Sequence, residues 1–292
     1  MSYTSPILQQ VHTDEFTDVD FGKQADSDLL GWIEPTLAEV HEAQRERPRY
    51  SGPVYTHDQL VEIIKEKDAL EAWPYRRIGH RFGQREGSCV YNALAYAMQI
   101  KFSQQFEKDG VEICIPFSPM SGYKFNSRGP NSGSYVGGAI KWAESVGLVP
   151  SEDYAKNLER VQQGLFAHTH GETGNYYQSL PDGWKETAKL FRAQEWEWFG
   201  DEYEWYSCIA SGDPAQGGRD SHSICHCFLA LDGNTIYSGY VQSWFAWGFT
   251  LNTIYGPLQS FGLDSPRKVR TMVSRDGFRL RTMRRPDFVS AM

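Results

Sequence analysis

Gln84-Arg85-Glu86-Gly87-Ser88-Cys89, running straight into Val90-Tyr91-Asn92-Ala93-Leu94-Ala95-Tyr96-Ala97-Met98 and on to Phe106, is the stretch on which the fold turns. Val90, Ala93, Leu94, Ala97, Met98 and Phe102 recur at helical spacing, which predicts a helix with one apolar, buried face. Gly87 lets the chain turn tightly into that helix, and Ser88-Cys89 stand at its start. The unpaired N–H groups and dipole of a helix N-terminus favour thiolate over thiol, so Cys89 is a candidate nucleophile. The plain alternative is a small buried core residue, because free cysteine is commonly buried. Gln84 is near enough to fold its amide back toward the thiol. With the Cys89 backbone N–H, it would hold a developing oxyanion.

A nucleophilic thiol of this kind needs a histidine distant in sequence and near in space, roughly 130–150 residues on. His226 lies 137 residues after Cys89 (226 − 89), and it opens the apolar run Cys227-Phe228-Leu229-Ala230-Leu231. Asp232-Gly233-Asn234 then signals a turn, and Thr235 to Val241 reads as the returning strand of a hairpin. Such a hairpin returns Gln242 toward His226, where the amide carbonyl would accept from the imidazole and fix the ring. His222, four residues earlier, is the rival base. In a strand both histidines share one face, so alternation does not separate them.

These segments resemble the papain-like cysteine peptidase family. There an oxyanion Gln precedes a Gly-Ser-Cys that opens a buried helix, and a later strand carries the His. An Asn-Ser-Trp-Gly segment then orients and shields that His. The interval from His226 to Gln242 is 16 residues (242 − 226), the family's His-to-Asn interval, and Gln242-Ser243-Trp244 stands where Asn-Ser-Trp is usual. Trp244 would cover the His–Gln bond. Ser134 to Val149 resembles the family's Gly-Gly and amphipathic helix, with Gly137 and Gly138 admitting substrate backbone and Ala139, Trp142, Ala143 and Val146 as the buried stripe. Gly137, Gly138 and Trp244 are thus the substrate-side residues. Three positions depart from the pattern: Gln84 is one residue closer to Cys89 than usual, Val90 replaces an aromatic, and Gln242 replaces Asn.

The resemblance implies an α+β fold of two lobes. A helical lobe of about 75–180 would carry Cys89, and a β-rich lobe of about 181–292 would carry His226. It implies hydrolysis of peptide or isopeptide bonds through a thioester, with Cys89 as nucleophile, His226 as base and then acid, Gln242 as orienter and Gln84 as oxyanion donor. No cofactor is required. A catalytically inactive structural or assembly component, for example of a virus particle, uses the same fold. A thiol amidase or acyltransferase uses the same residues.

Residues 1–74 lie outside the resemblance, as an acidic arm or pro-segment-like region. Asp14, Glu15, Asp18, Asp20, Asp26 and Asp28 crowd its start, and helices are expected over Glu34–Arg47 and Thr56–Leu70, the second with a capping pattern from Thr56. Trp184 to Arg192 is a further expected helix, and the aromatics from Trp196 to Tyr206 read as core. Arginines near the C-terminus, among them Arg279 and Arg281, alternate with Leu280 and Phe278, which puts them on the solvent face of a strand. The acidic arm and these basic strands are candidate surfaces for a protein partner.

Composition bounds the rest. With 292 residues, 40% hydrophobic and 14% aromatic, the chain can bury a full core. A net charge of −8 gives no reason for nucleic-acid binding, and no long apolar run implies a membrane span. The first residues lack a secretory signal pattern. The five cysteines, Cys89, Cys114, Cys208, Cys225 and Cys227, do not pattern as a disulfide framework, which favours a reducing intracellular or virion-associated setting. Cys225-His226-Cys227 splits its ligands between strand faces and gives no metal site; His168-Thr169-His170 is too thin a cluster for one.

Overall fold

The computed structural model describes residues 3–6, 31, 33, 35–78, 83–84, 87–111, 115–130, 132–150, 176–177, 180, 182–219, 222–244, 249–255 and 277–286. Of these, 37, 83–84, 218–219, 222, 224, 240–244 and 249–255 are described by backbone alone. Cys114, His168, His170, the acidic run from Asp14 to Asp28 and the 245–248 end of the tryptophan motif lie outside the described residues.

The helix that begins at the candidate nucleophile runs Cys89–Glu107 (α3). Sequence periodicity predicts one buried face, but the helix is buried nearly all round, including Gln99 and Lys101. A helix without a solvent face belongs in the middle of a core, and α3 lies between the sheet on one side and helices α4 (Met120–Asn126) and α5 (Val136–Ser145) on the other. Phe102 packs on Phe106, Phe117 and Phe191, with ring centroids 4.7–5.9 Å apart. Gly147, with φ of 89°, closes the turn after α5 in the left-handed region, as its position suggests.

The chain then enters α6 (Trp184–Lys189), β2 (Ala193–Trp198) and α7 (Glu202–Ala210). Strands β3 (Ala215–Arg219), β4 (His222–Asp232), β5 (Thr235–Trp244), β6 (Phe249–Tyr255) and β7 (Phe278–Met283) follow. With β1 (Gly83–Gln84) they form one sheet in the order β1-β5-β4-β3-β7-β2, and β6 pairs with β5. All its pairings are antiparallel except β1 with β5. The expected hairpin is present: Asp232 faces Thr235 across a two-residue turn, with Gly233 at φ 60°. Strand β4 starts at His222, four residues before the expected His226. It also carries a bulge between His226 and Phe228, where two residues oppose one.

The N-terminal region is woven into the same core. Helices α1 (Leu37–Arg45) and α2 (His57–Ala69) both begin with full capping boxes, Thr36 with Glu39 and Thr56 with Gln59. Leu60, Ile64 and Trp73 are as buried as the centre of α3. Tyr50 continues the sheet's hydrogen bonding by donating to the Trp198 carbonyl (2.8 Å).

One surface expectation is corrected. Arg279 is not on an open solvent face; its guanidinium is largely covered and ion-paired with Asp213 and Glu197. Lys101 of α3 joins the same carboxylate of Asp213. A charge buried here is tolerated because each partner is paired, and the cluster ties α3, β2 and β7 together. Arg281, half-exposed, does face outward.

Candidate active site

Cys89 occupies the first position of α3, with Ser88 before it as the N-cap residue. Ser88 does not cap through its own hydroxyl; the Asn92 amide reaches back to its carbonyl (3.0 Å) and Oγ (2.9 Å). This leaves the first-turn N–H groups for the sulfur. The Cys89 Sγ accepts from the Ser223 N–H of β4 at 3.2 Å, and the N–H groups of Val90 and Cys89 also act on it. Burial dominates all the same: it pushes the thiol up to about 12, and the three N–H groups only moderate that rise. At neutral pH this Cys89 is a thiol.

The way the strands separate explains how a helix end reaches strand backbone. The β4–β5 ladder runs from Asp232↔Thr235 to His226↔Tyr240. Farther along, β5 takes β1 as a parallel neighbour, with Gly83 opposite Ser243 and Gln84 opposite Trp244. The tip of α3 enters beside β4 at Ser223, beyond the last β4–β5 pair. The backbones of Gln84, Gln242 and Trp244 are thereby brought together, and Cys89 lies five residues from Gln84 along the chain.

His226 is not part of that meeting, contrary to the sequence expectation. Along β3 and β4, Gln216 is paired with Cys225, and Ala215 with His226. Gln216 donates to the Val90 carbonyl of α3 (3.0 Å), so Gln216, Ser223 and Cys225 share the α3 face. Side chains alternate along a strand, so His226 points the other way. There its Nδ1 lies 2.5 Å from Ser238 Oγ, and its ring meets Trp205 of α7 edge-on at 5.0 Å. Trp205 Nε1 also donates to Ser238 Oγ (3.3 Å), and His226 and Trp205 have no solvent exposure. The count of 137 residues leads to β4, at a position whose ring packs on Trp205 and Ser238. The histidine nearest Cys89 along β4 is His222, whose carbonyl carbon bears the nitrogen that donates to Sγ.

Gly137 and Gly138 open α5 as the sequence suggests, but a Cβ on Gly137 would meet Ala43 of α1 at 3.9 Å. The N-terminal region therefore occupies the side that substrate backbone was expected to approach. The cysteines described besides Cys89, namely Cys208, Cys225 and Cys227, are free and buried, and burial pushes the Cys208 and Cys225 thiols well up. Among the described residues no cluster of His, Cys, Asp and Glu has the makings of a metal site, and no helix is long and apolar enough to cross a membrane.

No family model matches the sequence, and no curated protein matches it. The fold, in contrast, is similar to several solved structures. Procathepsin L 3 from the larval midgut of Tenebrio molitor covers 95% of this chain and 93% of its own length at 11% identity, with a TM-score of 0.50. Xylellain, a cysteine protease from Xylella fastidiosa, covers 69% of this chain and 82% of its own at 15% identity and a TM-score of 0.47. Procathepsin B from Trypanosoma congolense covers 83% and 87% at 14% identity and a TM-score of 0.41. The architecture is the α+β papain-like fold, and nothing in these likenesses points to a virion or assembly component.

Proposed function

We propose that this chain is a cysteine peptidase that cleaves peptide or isopeptide bonds through a thioester, with Cys89 as nucleophile and His222 as base. The observation that carries the reading is the thiol's position. It stands at the start of a core helix, 3.2 Å from the N–H of Ser223 on the histidine-bearing strand. A buried cysteine with only a packing role needs neither a helix start nor strand backbone as a donor. The pairing of β1 with β5 supports Gln84 and Gln242 as the neighbouring amides.

In the reaction His222 removes the thiol proton as sulfur attacks the substrate carbonyl. The oxyanion that forms is held by the Cys89 N–H and the Gln84 amide. His222 then returns the proton to the leaving amine, and water, activated by the same imidazole, hydrolyses the thioester. His222 replaces His226 in this scheme because its backbone adjoins the Ser223 N–H that donates to Sγ, beyond the last β4–β5 pair, whereas the imidazole of His226 is enclosed by Trp205 and Ser238. A peptide library digested by the wild type and by Cys89→Ala tests the proposal. Cleavage lost on substitution, by about 10³-fold or more, is the expected result. Cleavage that survives Cys89→Ala would refute it.

A further inference from the structure

Gln216 of β3 has no solvent exposure, and its amide reaches the helix that carries Cys89. Its Nε2 donates to the Val90 carbonyl (3.0 Å) and lies 3.5 Å from Ser223 Oγ, a weaker second contact. An amide nitrogen carries two hydrogens, so it serves both acceptors at once. The Ser223 hydroxyl passes its own hydrogen on to the Gly217 carbonyl (3.0 Å). The chain of donors thus runs from β3 to α3 and β4, and back to β3.

The two residues that Gln216 joins are two that donate to the sulfur. Val90 follows Cys89 in the first turn of α3, and its N–H acts on Sγ. Ser223 belongs to β4, and its N–H donates to Sγ at 3.2 Å. One side chain therefore sets the spacing between the helix backbone and the strand backbone that share the thiol. Cys89 is bracketed in sequence as well: Asn92 holds Ser88 before it, and Gln216 holds Val90 after it. Among the described residues the Oε1 of Gln216 has no hydrogen-bond partner. A buried acceptor left without one costs stability. An aliphatic side chain of similar size would avoid that cost, so packing alone does not account for a glutamine here.

Resting on the peptidase reading above, we propose that Gln216 is a positioning residue for the reaction. It holds the first turn of α3 against β4 so that the Ser223 N–H stays on the Cys89 sulfur. In that reaction the sulfur becomes negative as His222 takes its proton. A hydrogen bond to a charged acceptor is roughly twice as strong as a neutral one, so the Ser223 N–H matters most when the thiolate forms. Such a bond weakens steeply once its angle is lost, and the amide of Gln216 guards that alignment. Gln216 acts through Val90 and Ser223 rather than on the reacting atoms.

The test compares full-length wild type, Gln216→Met and Ser223→Ala, with labelled cysteines identified by mass spectrometry. Gln216→Met keeps the length of the side chain and removes its N–H donors; Ser223→Ala removes the hydroxyl and leaves the backbone N–H in place. Circular dichroism and thermal melts confirm that each variant is folded. In Gln216→Met, iodoacetamide labelling of Cys89 between about pH 7 and 9 is expected to be about 3–10-fold slower at every pH, because less thiolate forms. Labelling of Cys208 should not change. A purely structural role gives the opposite sign, since a loosened α3 exposes the thiol and speeds its labelling. Ser223→Ala is expected to slow Cys89 in the same direction by a smaller factor. Unchanged or faster Cys89 labelling in folded Gln216→Met overturns the proposal, and Ser223→Ala decides by the same criterion if Gln216→Met does not fold. Peptide cleavage is followed in the same samples, where kcat should fall by a similar factor with KM unchanged. Slower labelling with no cleavage by wild type upholds the hold on the thiol and refutes the peptidase reading; cleavage by wild type with unchanged labelling in Gln216→Met does the reverse.

Discussion

His222 and His226 lie four residues apart on β4, yet they belong to different parts of the molecule. The backbone at His222 is at the start of the strand, where β4 and β5 have parted and the tip of α3 enters. His226 is inside the sheet's other face, closed over by Trp205 and bonded to Ser238. The backbone of one adjoins Cys89, and the other is a core histidine packed on Trp205 and Ser238. The contrast teaches that chemistry at a strand end depends on where neighbouring strands stop pairing, which residue counting does not report.

The largest expected effect separates the two directly. His222→Ala should lower peptide turnover by about 10³-fold while leaving the melting temperature nearly unchanged, because general acid–base groups contribute about 10²–10⁴-fold. His226→Ala, measured per folded molecule, should stay within about threefold of wild type, as expected of a residue outside the reacting atoms. Steady-state kinetics on the two variants decide the matter. A reversed pattern restores His226 as the base and removes His222 from the mechanism.

Much of this architecture was legible in the sequence. The helix after Cys89, the hairpin turn at Gly233-Asn234, the capping box at Thr56 and the Gly-Gly helix start follow from local rules, in which a few neighbouring residues carry the signal. The register of β4 was not legible, because the bulge at His226–Phe228 and the early parting from β5 depend on long-range pairing. Strand alternation did not separate the two histidines; it left open which one lies beside the end of α3. The approach of Gly31 to Cys89 was equally hidden: a Cβ built on that glycine would lie 2.6 Å from a sulfur 58 residues away along the chain (89 − 31). Arg279 shows the opposite failure: alternation assigned it a solvent face, but Asp213 and Glu197 draw it inward.

The next effect is on stability and belongs to His226 alone. Removing its imidazole leaves a cavity against Trp205 and deprives Ser238 of a partner, a loss of about 2–3 kcal/mol. Urea unfolding of His226→Ala should show this as a lower midpoint with an unchanged slope. His222→Ala, at the end of the strand, should unfold within about 0.5 kcal/mol of wild type. Equal destabilisation by the two substitutions would erase the contrast between a strand-end residue and a core residue.

The smallest effect tests whether the closed face of β4 acts as a connected polar unit. Ser238 Oγ is shared by His226 Nδ1 and Trp205 Nε1. Trp205→Phe keeps an aromatic ring against the imidazole but removes one donor, so the expected cost is about 1 kcal/mol for the bond, plus a smaller packing loss. If the three groups act together, Trp205→Phe should cost measurably less in a His226→Ala background than in wild type, because the Ser238 hydroxyl is then free to reorient. A double-mutant cycle by urea unfolding reads this coupling. Strict additivity would mean that His226 is held by packing alone, and its hydrogen bond to Ser238 would then explain neither its burial nor its turn away from Cys89.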